Sequence, residues 1–360
     1  MEYRFSPQIE SIPATTPFIG PETLGRRVGR PMHLRLGANE SLFGPSPRVL
    51  EVIRDHAAEV ALYGDPEAPE LRDALGGVFG CTRDEIRLGS GIDELLSLVL
   101  RAVAGPGDAV VTTLGSYPTF DYGVRACGAT LVQCPYRADG FVDIDALIAA
   151  SDDDRVRLVY LANPDNPSGT LTPAADVLRL EAALRPDQWL LLDEAYADFA
   201  DPDELPKVPT RRLIRTRTFS KAHAMAGMRL GVVQAPVELL AQLDKFRMHF
   251  GVNRLALLAG LAALEDRAHV ASVVAQTRLL QAQISQKLPG RVRRTWTNFS
   301  LIDCGSKERA EATLAALLQE GVFVRKPAQP PLDGYLRVSI GPESVMEEFL
   351  GALRRVESGA

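Results

Sequence analysis

A chain of 360 residues, 46% hydrophobic and 24% charged, is too long for one simple core and too apolar for a disordered or fibrous protein. Its net charge of −6 offers no electrostatic ground for nucleic acid or a membrane surface as partner. Cys81, Cys127, Cys134 and Cys304 are scattered without metal-ligand spacing, and no stretch suits a signal peptide or a bilayer span. A cytoplasmic protein with no metal is expected.

Residues 1–35 carry Pro7, Pro13, Pro17 and Pro21 and read as an irregular arm, expected to join a smaller domain and a dimer contact. From about residue 45 to 240, short apolar runs alternate with amphipathic stretches. The runs are "IRLG" 86–89, "AVVTT" 109–113, "TLVQC" 130–134, "RLVYLA" 157–162, "WLLLD" 189–193, "LIRTRT" 213–218 and "LGVVQ" 230–234. Such alternation predicts an α/β fold, a mostly parallel seven-stranded sheet with helices on both faces, over residues 36–245. Beyond it come two long helical patterns, 254–265 and 268–288, stopped by Pro289-Gly290. Strands at 298–304, 322–325 and 335–340, with helices near 307–320 and 343–356, then predict a smaller α/β domain over 246–360.

In an open α/β sheet, ligands lie beyond the carboxyl ends of the strands. After "IRLG" comes "SGIDELL", which is either an ordinary helix start or an anion site made by free amides and the helix dipole. After "RLVYLA" comes "NPDNPSG" 163–169, and after "WLLL" comes "DEAY" 193–196, whose aspartate reads as a helix cap or a functional group. "LIRTRT" runs into "FSK" and a stretch of small residues. A reaction that leaves a carbanion beside an amino group needs an electron sink. Pyridoxal phosphate is one: a lysine holds it as a Schiff base and a carboxylate keeps its ring nitrogen protonated. That chemistry asks for a buried lysine, an aspartate, donors to the ring oxygen and a phosphate cradle. The strand ends offer Lys221, Asp193, Asn166 with Tyr196, and a glycine-rich helix start with Ser220 and Arg229. No G-x-G-x-x-G follows an early strand, so the nicotinamide fingerprint is absent.

These motifs, from "LGANESLFGPSP" 36–47 through "YGDP", "GSGIDELL", "NPDNPSG", "DEAY" and "TFSKAHAMAGMRLG" to "LRVSIGP" 336–342, resemble the fold type I pyridoxal-phosphate enzymes. Among those the histidinol-phosphate aminotransferase family is most similar. The resemblance implies that Lys221 carries the cofactor and moves the proton at the substrate Cα. Asp193 would pair with the ring nitrogen, Asn166 and Tyr196 with the ring oxygen, and Phe120 in "SYPTF" would stack on the ring, unless it is simply a core residue. Ile92 and Asp93 amides, Ser220, Arg229 and Tyr63 would hold the phosphate, Tyr63 coming from the other subunit of a homodimer. Arg337 and Arg325, with Asn39, would hold the anionic part of the substrate; taken alone, Arg337 also reads as a solvated residue on an edge strand.

Two positions depart from the family pattern: Phe18 stands where the arm often supplies a tyrosine hydroxyl, and His223 where an aromatic is usual. Both bear on the choice of donor. The expected reaction is transfer of an amino group from an anionic donor to a 2-oxo acid. Another pyridoxal-phosphate reaction, such as decarboxylation of a phosphorylated amino acid, would use the same residues. The presence of both Lys221 and Asp193 speaks against a non-catalytic relative.

Overall fold

Alternating burial shapes the main sheet of this chain, whose computed structural model describes residues 3–10, 12–13, 18–207 and 212–359. After the short β1 (Leu34–Arg35) come β2 (Ile86–Gly89), β3 (Ala109–Thr113), β4 (Thr130–Cys134), β5 (Val156–Ala162), β6 (Trp189–Asp193), β7 (Leu213–Thr218) and β8 (Gly231–Gln234). The last seven form one sheet in the order β2-β8-β7-β6-β5-β3-β4. Only β8 runs antiparallel to its neighbours, so the sheet is mostly parallel, as expected.

Both faces of the sheet are covered. In β5, Leu158, Tyr160 and Ala162 enter one apolar cluster, while Val159 and Leu161 enter another; β6 divides Leu191 from Leu190 and Leu192 in the same way. A strand buried on both faces has no use for polar residues, which is why these runs are almost continuously apolar. Helix Ile92–Val103 covers the first face with Leu95, Leu96 and Val99. Helices Ile144–Ser151 and Ala174–Ala183 cover the second with Leu147, Val177 and Leu180. Each such side chain withdrawn from water contributes about 1.5–3 kcal/mol.

The chain continues with β9 (Val292–Arg293), β10 (Phe299–Asp303), β11 (Val322–Phe323) and β12 (Tyr335–Ser339). Strands β12, β10 and β9 form an antiparallel sheet, and β11 pairs with β1 in parallel. Leu336 and Val338 of β12 pack under helices Lys307–Gln319 and Glu343–Ser358, in one cluster with Leu317, Phe349 and Leu353. The period of two leaves Tyr335, Arg337 and Ser339 on the other face.

Two expectations need correction. The arm is not irregular throughout: Pro21–Val28 is a helix, with Pro21 at its start and Gly29 closing it at φ 71°. Proline lacks only a donor that the first turn leaves unused, so it starts this helix rather than preventing it. The expected boundary at residue 246 does not follow the packing either. Helix Arg254–Glu265 lies among Val49, Leu71, Phe219 and Leu230 beside the large sheet, through Ala256, Ala259 and Ala263. It is the next helix, Arg267–Lys287, that reaches the C-terminal cluster with Leu280 and Ile284.

Glu194 fastens the ends of β6 and β7. Its side chain is completely buried and accepts from Arg215 Nε at 3.0 Å and Nη2 at 2.8 Å, and from Arg217 Nε at 3.0 Å. Burial pushes this carboxyl up, but Arg217 and Arg215 outweigh it and hold the group below its ordinary range. Its contribution is therefore present above the ordinary carboxylate pKa and lost as pH falls through the depressed folded value. Glu194→Gln strands two guanidiniums against a neutral amide, and a loss of about 3–5 kcal/mol is expected. Urea denaturation at neutral pH checks this; an unchanged midpoint would show that the clamp is not structural.

Candidate active site

Parallel pairing sets Ala162 of β5 opposite Asp193 of β6, and Asp193 opposite Thr216 of β7. The three chains therefore leave the sheet side by side. Their continuations, with segments 37–40, 114–118 and 325–329, enclose a cavity of about 770 Å³. Lys221, Asp193, Asn166, Tyr196, Ile92, Asp93, Ser220, Arg229, Arg337, Arg325 and Asn39 all line it.

Lys221 is partly buried, and its Nζ donates to the Asn39 carbonyl at 3.1 Å. Burial draws the amine from 10.5 down to about 8, with the positive charge of Arg337 adding to the effect. A lysine so placed exchanges its proton near neutral pH, as a surface lysine does not. Asp193 is also buried. Its Oδ2 accepts from Tyr160 Oη at 2.8 Å, and its Oδ1 from Ala195 N at 3.1 Å and Thr216 Oγ1 at 3.3 Å. Burial raises its carboxyl to about 6, and those donors restrain the rise, Tyr160 most. At neutral pH it is an anion awaiting a cationic partner.

The turn before helix Ile92–Val103 supplies an anion cradle. Gly91 has φ 79° and leaves the first amides of the helix free of side-chain caps. Gly231 on β8 backs this turn so closely that a Cβ there would stand 2.5 Å from Gly91 C and 2.7 Å from Ile92 N. Ser220 is held by Thr218, whose Oγ1 donates to Ser220 Oγ at 3.0 Å and accepts from Ser220 N at 3.1 Å. The Arg229 guanidinium lies over Gly91 and 3.5 Å from Asp93 Oδ2. Asn39 and Arg229 both adopt φ 55°, a strained setting for residues with a side chain.

Across the cavity, Arg325 and Arg337 form an antiparallel bridge, with amide-to-carbonyl distances of 3.2 and 2.7 Å. Arg337 donates to Asn166 Oδ1 at 2.5 Å and to the Gly37 carbonyl at 2.9 Å; Arg325 donates to the Ile19 carbonyl at 2.8 Å. The Nε of each is buried and has no partner among the described residues. Burial lowers both, Arg337 to about 10. Two partly desolvated cations with free donors make a seat for a carboxylate or phosphate. Asn39 Nδ2 donates to Tyr196 Oη at 2.7 Å, and burial pushes that phenol up to about 12, so it stays a donor.

One expected residue lies elsewhere. Phe120 does not line the cavity; its ring is packed in the core, 4.0 Å from that of Tyr160 and nearly parallel to it. Tyr117 lines the wall instead, its hydroxyl donating to Asp93 Oδ1 at 2.7 Å. The signal was Pro118: it opens helix Pro118–Ala126 and keeps the preceding residue extended at the strand end, while Phe120 turns inward with the helix. Tyr63 is 76% exposed, against Phe250 at 4.7 Å, and is not part of this cavity. His223 packs on Phe219 at 4.7 Å outside the cavity, where burial lowers its pKa. Phe18 does line the cavity, beside Arg325. Tyr160, the buried donor to Asp193, had no sequence signal beyond its place in an apolar strand.

Residues 31–353 match the family model of aminotransferase class I and II. A histidinol-phosphate aminotransferase of Mesorhizobium japonicum is 37% identical over 333 residues, covering 89% of this chain and 90% of that protein. The crystal structure of histidinol-phosphate aminotransferase from Sinorhizobium meliloti, in complex with pyridoxal-5′-phosphate, matches at a TM-score of 0.94 and 38% identity. That match covers 100% of this chain and 99% of that one. Aspartate aminotransferase from Thermus thermophilus with maleate, 22% identical at a TM-score of 0.79 over 99% of this chain and 100% of that one, shares the fold. A half-buried lysine and a buried aspartate at adjacent strand ends, in a chain so matched over nearly its whole length, make this protein a member of the class I and II aminotransferases, enzymes that work with pyridoxal phosphate.

Proposed function

We propose that this aminotransferase takes its amino group from histidinol phosphate or a close anionic analogue and passes it to a 2-oxo acid. We further infer that it works in the cytoplasm as a homodimer with shared active sites. The observation that carries the donor assignment is the bridged pair Arg325 and Arg337, each with a buried Nε that lacks a partner among the described residues.

The cavity fits the cofactor. Asp193 is a buried anion able to hold a proton on a ring nitrogen, and the Gly91 turn is kept open for a phosphate by the bare backbone of Gly231. When bound, pyridoxal phosphate supplies an electron sink for the substrate Cα. Lys221 holds the cofactor and, with its amine tuned by burial, takes and returns the proton at that carbon. Asn166 and Tyr196 orient the ring oxygen, and Tyr117 rather than Phe120 supplies the aromatic wall. Ile92 and Asp93 amides, Ser220 and Arg229 hold the phosphate. Asn39 sets Tyr196 and receives the Lys221 amine. Phe18 brings no hydroxyl, so the substrate anion depends on the two arginines.

Tyr63 sits in a field of exposed apolar side chains that includes Val60, Leu62, Met248 and Phe250. Such a surface suits burial against a second copy, and it would bring Tyr63 to the neighbouring phosphate. No described helix is long and apolar enough to cross a membrane.

Capture of pyridoxal phosphate by the apoprotein should accelerate about tenfold per pH unit and level off near pH 8, because the neutral amine is the nucleophile. Stopped-flow absorbance measures it, and levelling only above pH 10 would refute a desolvated Lys221. Asp193→Asn should retain cofactor but lose several powers of ten in turnover, since an unprotonated ring is a poor sink.

Arg337→Ala should lower kcat/KM for an anionic donor by roughly 30- to 5,000-fold, the equivalent of about 2–5 kcal/mol, and affect a neutral analogue far less, through the Lys221 amine alone. Equal losses for both would make Arg337 structural. Mixing Lys221→Ala with Tyr63→Ala subunits should restore activity above either parent, because each mixed dimer keeps one site with both side chains. A fully active monomer at dilution would contradict sharing.

A further inference from the structure

Asp121 and Gln133 line the same cavity as Lys221 and Arg337, and the roles above leave them unused. Asp121 stands in the first turn of helix Pro118–Ala126 and Gln133 on β4. Gln133 Nε2 donates to Asp121 Oδ2 at 3.0 Å. The other oxygen, Oδ1, is buried and has no hydrogen-bond partner among the described residues. Burial raises this carboxyl to about 6, while Arg125, one helical turn on, and the Gln133 amide pull it back.

A carboxylate that served only the helix N-terminus would accept from the free amides there, yet among the described residues Asp121 accepts only from Gln133. Leaving a buried acceptor unsatisfied is costly; the helix dipole and Arg125 favour an acid here but provide no donor for its second oxygen. Gln133 fixes one oxygen and leaves the other for a donor. The cavity therefore offers two anion-seeking arginines and, on a different wall, the open oxygen of Asp121; the other lining acceptor without a partner among the described residues, Asn39 Oδ1, belongs to a residue bonded to Tyr196 and Lys221. Among chemical groups that fill such a place, an N–H is the complement.

We propose that Asp121, positioned by Gln133, determines donor specificity: its Oδ1 accepts a hydrogen bond from an N–H on the side chain of the amino donor, selecting an imidazole over an apolar ring of similar size. This rests on the aminotransferase reading above and adds a residue to it. A site built around a substrate N–H discriminates against a ring that lacks one because its own acceptor is then stranded.

The test uses the holoenzyme and two matched pairs of donors, histidinol phosphate with phenylalaninol phosphate and histidine with phenylalanine. Single-turnover loss of the cofactor absorption band gives the rate ratio within each pair. The wild type should favour the imidazole member by about ten- to a hundredfold. Asp121→Ala should erase that preference by slowing the imidazole donors alone, and unchanged phenyl rates would certify an intact fold. Gln133→Leu should narrow the preference without touching Asp121. A preference that survives Asp121→Ala, or equal slowing of both members, overturns the proposal, as does a wild type with no preference. If the phosphate pair is inert while the amino-acid pair responds as expected, the histidinol-phosphate reading fails and the role of Asp121 stands. Inertness of both pairs sinks both.

Discussion

A carboxylate taken out of water must be given donors, and the architecture around Asp193 follows from that requirement. Its supports come from different strands: Tyr160 from β5, Thr216 from β7, and the backbone of Ala195 just beyond β6. They converge because the parallel register brings the three strand ends level. A slip of one residue would turn Tyr160 to the opposite face and leave the acid unsupported. The next residue, Glu194, faces away and ties β6 to β7 through two arginines. Adjacent carboxylates thus do opposite work, one kept available to a ligand and one spent on alignment.

Lys221 meets the complementary requirement. An amine is easier to discharge when it is buried and sees another cation, and Arg337 supplies that cation from the C-terminal sheet. In the proposed function Arg337 thereby bears on two things at once, the anionic part of the donor and the basicity of the lysine. The coupling passes through space across the cavity, so the placement of the C-terminal sheet against the large one enters the chemistry directly.

Much of this was legible in the chain. The seven apolar runs became the seven strands because a doubly covered sheet leaves a plain signature, and the ends of four of them, β2, β5, β6 and β7, then marked residues of the cavity. Sequence failed where the outcome depended on which way a side chain turned or on what packed against it. Phe120 and Tyr117 are both aromatic and three residues apart, and only the helix opening at Pro118 decides which meets the cavity. Helix Arg254–Glu265 has an apolar pattern that would suit either sheet, and its alanines settle against Leu71 and Leu230 for reasons of fit. Asp121 gave no signal at all, since an acid in the first turn of a helix is ordinary. Its meaning came from one oxygen without a donor.

The contact between Arg325 and the arm has a practical side. The guanidinium donates to the carbonyl of Ile19 and lies over the ring of Phe18, so a wall of the cavity is built from chain that precedes the helix Pro21–Val28. Trimming the protein back to that helix would look harmless to a folding assay, because both apolar clusters of the large sheet would survive intact. It would nonetheless open the cavity beside its anion seat, and the same holds for a bulky fusion placed close before Phe18. For this enzyme, a truncated version that expresses well and takes up cofactor is not thereby a faithful stand-in for the whole.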